Sequence, residues 1–167
     1  MKRVALLLLA ILATLMIQNA SFAGGTTTAN ASINLTVNSA VTVNTIRSAI
    51  NLGTGFPGDT KSVDPISGGT NTAAFSISGP NSWTITPTWS SSVTLTNGTD
   101  NVTFTPSVSG NTANTQGSST LLTSGTSFTT AASGNPVYYL WVGGSVTIPS
   151  NVSSGAYTGN IIITLTY

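Results

Sequence analysis

The sequence predicts an all-β sandwich of roughly eight to ten strands. Apolar and polar residues alternate in many short segments, which is the period of a half-buried strand. Clusters of Gly, Pro, Asn and Ser separate these segments, and beyond residue 23 no stretch has the spacing of an amphipathic helix. The chain has no cysteine, so its stability must come from packing and sheet hydrogen bonds, which favours a large β fold.

Residues 1–23 have the three parts of a secretory signal peptide. Lys2-Arg3 precedes the apolar run Val4–Ile17, and Ser21–Ala23 supplies small residues at the cleavage position. The apolar run of about 14 residues is shorter than the roughly 20 that a membrane-spanning helix needs. We therefore expect one domain, residues 24–167, exported via the periplasm to the cell surface or the extracellular medium, with no stable membrane insertion after signal cleavage.

The start of this domain carries the most regular alternation in the chain. Gly24–Thr28 is small and polar, which predicts a flexible leader. Five apolar side chains then recur at every second position: Ala29, Ala31, Ile33, Leu35 and Val37. Segment 24–38 could therefore supply an ordinary first strand, or a donor strand that enters a neighbouring subunit. Sequential strands usually pair locally, but alternation cannot distinguish the two arrangements, because both bury the same face.

Shorter strands are expected through the middle of the chain. Gly53–Thr60 is a turn-rich connection, and Lys61–Ile66 follows it as a short strand. Ala74–Ser78 is predicted as the next strand. Ser82–Thr88 is predicted to end at Pro87 or to lie at a sheet edge, because proline cannot donate to a ladder.

The second half of the chain contains a hairpin, a loop and two final strands. Val93–Phe104 is predicted as a hairpin that turns at Asn97–Asn101. Ser107–Gln116 has no apolar period and is predicted to be a mobile polar loop. Val137–Val142 is a continuous apolar run, which suits a central strand buried on both sides, and Gly143-Gly144 is expected to end it. The terminal strand is predicted to direct five side chains inward: Tyr157, Ile161, Ile163, Leu165 and Tyr167.

Apolar residues on the inward faces of these segments give a predicted core. Alternation places one such residue at every second position of each strand. The core is expected to consist of Ile33, Leu35, Ile50, Leu52, Phe75, Ile77, Trp83, Val102, Phe104, Tyr139, Trp141, Ile161, Ile163 and Leu165.

The residue inventory argues against an enzyme. The chain has no His, no Cys and no Glu, which removes imidazole bases, thiol nucleophiles and the usual metal clusters. Asp59 and Asp64 are close in sequence, but no apolar pocket surrounds them, so solvated turn aspartates are favoured over a glycosidase pair. Asn97–Asn101 offers one carboxylate without EF-hand spacing, which favours a plain turn over a calcium loop. We expect no catalytic residue, no metal and no cofactor.

Charge and tryptophan placement bear on the choice of partner. After residue 23 the charged side chains are Arg47, Lys61, Asp59, Asp64 and Asp100, a net charge of −1. Without a basic patch, nucleic acid is not an expected partner, whereas association with like chains meets little electrostatic opposition. Trp83, Trp89 and Trp141 could together form a sugar-stacking platform. Trp141 lies in an apolar run and is expected in the core, so Trp89, set among Thr, Ser and Pro, is the candidate ligand contact.

Three motifs in this order resemble a known family: Ile50-Asn-Leu-Gly53, then Tyr139–Gly144 before Ser145–Pro149, and the closing Ser154–Tyr167. The family is a bacterial secreted one, domain of unknown function 4402, and the likeness covers nearly the whole mature chain. The closing motif also resembles the end of spore-coat-U-type pilin subunits, which belong to archaic chaperone-usher pili. These resemblances imply an immunoglobulin-like β-sandwich and a surface or fimbrial setting. The pilin likeness implies copies of the chain or related subunits as partners, together with a periplasmic chaperone.

Two functions follow from these expectations. The first is a secreted structural cell-surface protein, a pilin-like subunit that self-assembles by strand addition, with the alternating segment 29–37 as the donor. The alternative is a monomeric secreted or surface-displayed binding module, either an adhesin or a carbohydrate-binding-like domain, with Trp89 and the loop Ser107–Gln116 as its contacts.

Overall fold

A computed structural model describes residues 41–134 and 136–167. The predicted signal peptide 1–23 and segment 24–38 lie outside the described residues, as do Ile33 and Leu35 of the predicted core. Within the described part the chain forms ten strands and two single-turn 3-10 helices, which confirms the all-β prediction. No helix in this part of the chain is long and apolar enough to cross a membrane.

The strands are short except for two of eleven residues each. In chain order they are β1 Thr42–Arg47, β2 Thr60–Val63, β3 Ala73–Ser78, β4 Thr84–Trp89, β5 Val93–Thr96, β6 Asn101–Asn111, β7 Thr120–Leu122, β8 Phe128–Thr129, β9 Val137–Thr147 and β10 Ile163–Thr166. The 3-10 turns are Gly69–Asn71 and Gln116–Ser118.

Two antiparallel sheets form the sandwich. The larger sheet has seven strands in the order β1-β3-β9-β6-β5, with β2 also paired to β9 and β7 to β6. The smaller sheet has three strands in the order β10-β4-β8. Ile85 of β4 packs with Ile77, Val108 and Leu140 of the larger sheet, so the main core lies between the two sheets. A second cluster around Phe104 lies at the β5 end of the larger sheet.

Strand β9 is the centre of the larger sheet, as the apolar run 137–142 predicts. It pairs with β6 along one side and with β3 and β2 along the other. Tyr138, Leu140 and Val142 face the main core, and Trp141 is 2% exposed on the opposite face. Both faces of this strand are covered, so its sequence is continuously apolar rather than alternating.

Gly143-Gly144 does not end the strand, because β9 continues to Thr147. A side chain at Gly143 would collide with the carbonyl oxygen of Val63, and one at Gly144 would meet the Phe104 ring. The two glycines therefore allow close backbone approach inside the sheet, a role that glycine in a strand can have. Their interpretation as a strand terminator was wrong.

The predicted loop Ser107–Gln116 is also wrong over its first half. Ser107–Asn111 belongs to β6, and Ser109 is fully buried. The Ser109 hydroxyl donates to the Pro65 carbonyl at 3.0 Å and accepts from the Ser119 hydroxyl at 2.8 Å. These two hydrogen bonds satisfy the buried hydroxyl, so a polar residue is tolerated inside the strand. The periodicity of the sequence does not reveal such hydrogen-bond partners.

The hairpin prediction is confirmed. Val93 lies opposite Phe104 and Leu95 opposite Val102, with the turn at Asn97–Asp100. Asn97 closes this turn, since its Oδ1 accepts the N–H groups of Thr99 and Asp100 at 2.9 and 2.8 Å. This is an Asx turn of the kind that Asn favours.

The terminal strand is shorter than predicted, because β10 begins only at Ile163. Before it, Thr158 forms an isolated bridge with Thr96, and the Tyr157 hydroxyl donates to the Ser153 carbonyl at 2.8 Å. Tyr167, predicted to face inward, is 62% exposed and stacks on Trp83 with ring centroids 5.6 Å apart.

The predicted core is confirmed for its most central members. Ile77, Val102, Phe104 and Trp141 are buried. The rest of the described set is half-buried, namely Ile50, Leu52, Phe75, Trp83, Tyr139, Ile161, Ile163 and Leu165. The prediction omitted several buried residues, among them Ile85, Val108, Tyr138, Leu140, Val142 and Val146.

Candidate functional site

The strongest candidate site is the outer edge of β10. In the described part of the chain β10 pairs with β4 alone, which makes it an edge strand of the smaller sheet. The register places Ile163 opposite Trp89 and Leu165 opposite Pro87. An edge strand offers main-chain donors and acceptors to a further strand.

The partners of β4 show which β10 groups face outward. Pro87 has no N–H, and its carbonyl accepts from the Gly125 N–H at 2.9 Å. The Trp89 N–H donates to the Ser124 hydroxyl at 2.9 Å, and that hydroxyl donates back to the Trp89 carbonyl at 3.0 Å. The main-chain groups of Pro87 and Trp89 are therefore directed away from β10.

Residues opposite Pro87 and Trp89 occupy non-hydrogen-bonded positions of the antiparallel ladder. The N–H and C=O groups of Leu165 and Ile163 consequently point away from β4, toward the outer edge. Thr164 and Thr166 are the residues that bond to β4. The prediction that the strand ends at Pro87 or lies at a sheet edge was wrong, since β4 continues to Trp89 and is the middle strand of its sheet.

Side chains along β10 add an apolar row to this edge. Ile161, Ile163 and Leu165 pack against the main core but remain half-buried. Ile162 is 76% exposed immediately before the strand. Main-chain groups directed outward beside incompletely covered apolar side chains are the two features that strand addition uses.

The strand order of the larger sheet ends at β1 and β5, and β2 and β7 are further edge strands that each pair on one side only. The β5 edge is partly covered, because Thr96 exchanges backbone hydrogen bonds of 2.9 and 3.0 Å with Thr158. Strand β1 carries a bulge between Thr45 and Arg47, where the register shifts. A bulge and a charge are devices that blunt an edge against pairing, so β10 is a better acceptor than β1 or β5.

The same bulge places Arg47 in a polar cluster. Its Nε donates to the Thr72 carbonyl at 3.0 Å, and its Nη2 donates to the Thr72 hydroxyl at 3.1 Å and to Gln116 Oε1 at 3.5 Å. Gln116 Nε2 in turn donates to the Pro65 carbonyl at 2.9 Å. These bonds join β1 to two loops. No pattern in the sequence predicts this structural role of Arg47.

The predicted donor side chains all lie outside the described residues: Ala29, Ala31, Ile33, Leu35 and Val37. Their pairing within the domain or between subunits stays a prediction. Trp89, the candidate ligand contact, is half-buried at the end of β4 and packs against the main core. Its role as a ligand contact also stays a prediction.

The three tryptophans do not share one surface. Trp83 and Trp89 precede and end β4, six positions apart and separated by about 20 Å of extended chain. Trp141 is buried in the larger sheet. A common stacking platform therefore does not form.

The aspartates serve turns. Asp59 Oδ2 accepts the Phe56 N–H at 3.0 Å and lies 3.7 Å from the Lys61 ammonium. The Ile66 N–H and the Ser67 hydroxyl, which donate to Asp64, hold the pKa of its carboxyl below the usual range. The described residues contain no group of three or more His, Cys, Asp or Glu side chains that could hold a metal ion.

A family model described as domain of unknown function (DUF4402) matches residues 36–167. The chain belongs to this family. The match covers the whole DUF4402 β-sandwich described above and confirms the resemblance carried by the three sequence motifs. No curated protein matches the sequence. The likeness of the DUF4402 chain to spore-coat-U-type pilins stays a prediction.

Proposed function

We propose that this DUF4402 protein is a structural cell-surface subunit that assembles by strand addition. The donor is segment 29–37 of a neighbouring copy, and the acceptor is the outer edge of β10. The observation that carries the proposal is the direction of the Ile163 and Leu165 main-chain groups, which face away from β4 beside a half-buried apolar row.

The donor sequence is complementary to this edge. Its apolar side chains recur at every second position, so one face of the added strand would cover Ile161, Ile163 and Leu165 while the other stays polar. The contact joins two different surfaces of the same chain. Such a heterologous contact need not close into a ring and generates filaments.

Low charge favours the same assembly. Residues 24–167 carry five charged side chains with a net charge of −1, so copies approach one another without strong repulsion. The alternative, a monomeric binding module, loses one of its two supports because half of the predicted loop Ser107–Gln116 is strand β6.

Filament formation by purified residues 24–167 tests the proposal. Electron microscopy and light scattering should show filaments that shorten when synthetic peptide 29–38 is added in excess, because the peptide occupies the acceptor edge. A control peptide with Ile33→Asp and Leu35→Asp should leave filament length unchanged, since a charge on the buried face prevents insertion.

A second pair of variants separates the two faces of the donor. Ile33→Asp with Leu35→Asp should abolish filaments, whereas Asn34→Asp with Thr36→Asp adds the same charge to the other face and should preserve them. A protein that stays monomeric at all concentrations, and whose mass the peptide does not change, would show that segment 29–37 pairs within its own domain.

A further inference from the structure

A pocket of about 210 Å³ opens at one end of the sandwich. Its floor is formed by Thr130, Pro136 and Tyr138, which are buried, and its rim by Thr112, Ala131 and Ser133, which are exposed. Thr112 directly follows β6, Tyr138 belongs to β9, and the other four residues lie in the connection between β8 and β9. The pocket is separate from the β10 edge and from the aspartate turns.

Tyr138 is the distinctive group in this pocket. The residue is 8% exposed, and its ring stacks on Phe128 with centroids 3.8 Å apart and planes 11° from parallel. Any side chain at Gly110 would collide with the ring and hydroxyl of Tyr138, so glycine leaves the space that the ring occupies. The tyrosine is therefore held in one orientation.

The Tyr138 hydroxyl is available to a ligand. No hydrogen bond joins it to another residue in the described part of the chain, whereas the neighbouring Thr130 hydroxyl already donates to Pro80 at 2.7 Å and accepts from Trp83 at 2.8 Å. Burial raises the pKa of Tyr138 above its usual value, and a tyrosine phenol is protonated at neutral pH with or without this shift. The described residues contain no buried side-chain polar atom that lacks a hydrogen-bond partner, so this hydroxyl is open to water in the pocket and can donate to a ligand that replaces that water.

The walls restrict the chemistry of that ligand. None of the five charged side chains after residue 23 lines the pocket, so a charged ligand would lose water without gaining a counter-charge. A purely apolar ligand would cover the Thr, Ser and Tyr hydroxyls without satisfying them. A neutral polyhydroxylated molecule meets both conditions, and the Ala131, Pro136 and Val137 side chains can contact its C–H groups.

We propose that this pocket binds one neutral sugar ring, with the Tyr138 hydroxyl as the central hydrogen-bond donor. The volume is below the roughly 300–1,000 Å³ of pockets for drug-sized ligands, which suits a single pyranose rather than an oligosaccharide. The site does not depend on strand addition at β10, so either proposal can fail without the other.

Ligand titration of residues 24–167 tests the sugar site. Glucose, galactose, mannose and N-acetylglucosamine are titrated separately while amide chemical shifts are recorded by NMR. At least one sugar should bind in the millimolar range and shift the signals of Thr112, Thr130 and Ser133. Tyr138→Phe should weaken that binding about 2- to 10-fold, the effect of losing one hydrogen bond of about 0.5–1.5 kcal/mol.

Tyr139→Phe is the matched control, because it removes a hydroxyl from the adjacent residue on the opposite face of β9. It should leave the affinity unchanged, and thermal melting should show that both variants are folded. The proposal is overturned if none of the four sugars shifts the pocket signals, or if Tyr138→Phe and Tyr139→Phe bind equally well. Shifts at Trp89 instead of the pocket would place the sugar site elsewhere and overturn it as well.

Discussion

Pro87 lies directly opposite Leu165 where β4 pairs with β10. Leu165 and Pro87 form a non-hydrogen-bonded pair, in which no N–H of either residue bonds to the other strand. The missing N–H of Pro87 therefore removes no hydrogen bond between β4 and β10. A proline in the middle strand of a sheet is tolerated here, since its main-chain groups face the segment that precedes β8, where the Gly125 N–H donates to the Pro87 carbonyl. The same register directs the Leu165 N–H toward the outer edge and the Thr166 N–H toward β4.

Hydrogen exchange at these amides should therefore respond differently to an added strand. Peptide 29–38 should slow the exchange of Leu165 and Ile163, whose N–H groups face outward, by roughly tenfold or more, a factor that corresponds to about 1.4 kcal/mol of added protection. Exchange at Thr166, which bonds to β4, should change little. NMR-detected exchange measures both, and equal slowing at Thr166 and Leu165 would contradict the assigned ladder.

The main core should be sensitive to truncation at Ile77. This side chain is fully buried between the sheets, so Ile77→Ala should lower the free energy of unfolding by about 2–5 kcal/mol. Ile162→Ala removes the same atoms from a side chain that is 76% exposed and should change stability by less than about 0.5 kcal/mol. Urea denaturation of both variants checks the contrast, and similar losses would show that the burial pattern is wrong.

Alternation predicted the positions of most strands but not their full lengths. It found the hairpin at Val93–Phe104, where one face is buried and the other is wet, so the period of two is visible. It failed at Ser107–Asn111 and at Gly143-Gly144, where both faces of a central strand are covered. There small residues are required by close approach of other backbone and ring atoms, and periodicity contains no information on such contacts.

The candidate sites were predictable to different degrees. The sequence predicted the closing strand from the alternation of its apolar residues, but not the direction of its main-chain groups. The outward direction of the Leu165 amide depends on register with Pro87, which is a long-range property. The pocket brings Thr112 next to Thr130 and Tyr138, which are distant from it in sequence, so neither a motif nor a spacing marks it.

Gly143 offers a test of the close approach inside β9. A Cβ atom there would overlap the Val63 carbonyl and lie 3.1 Å from the Pro65 nitrogen, and neither backbone atom can move without disturbing the sheet. Gly143→Ala should therefore destabilise the protein by about 1–3 kcal/mol. Gly117→Ala is the control, because no atom lies within 4 Å of the added carbon. Thermal melting should show a large decrease for the first variant only, and an unchanged midpoint for Gly143→Ala would contradict the packing.

The hydrogen-bonded Asp100 carboxylate should make the stability of the protein depend on pH in the acid range. The Ser153 hydroxyl and the Ser153 N–H both donate to Asp100 Oδ2, the second at 2.7 Å, and they hold the pKa of this carboxyl below its usual range. The folded state therefore binds a proton at Asp100 less readily than the unfolded chain does. The resulting stabilisation is present above the unfolded pKa, near pH 4, and is lost as pH falls through the folded pKa.

Ser153→Ala removes the donor with the largest effect on this pKa while leaving the charge in place. The melting temperature of the variant should be lower than that of the wild type at pH 7, and the difference should shrink as pH falls below about 4 and Asp100 becomes protonated. Ser150→Ala changes an exposed serine on the same connection and should follow the wild type at every pH. A difference between wild type and Ser153→Ala that stays constant from pH 7 to pH 2 would show that the Ser153 hydroxyl acts through packing and not through the Asp100 charge.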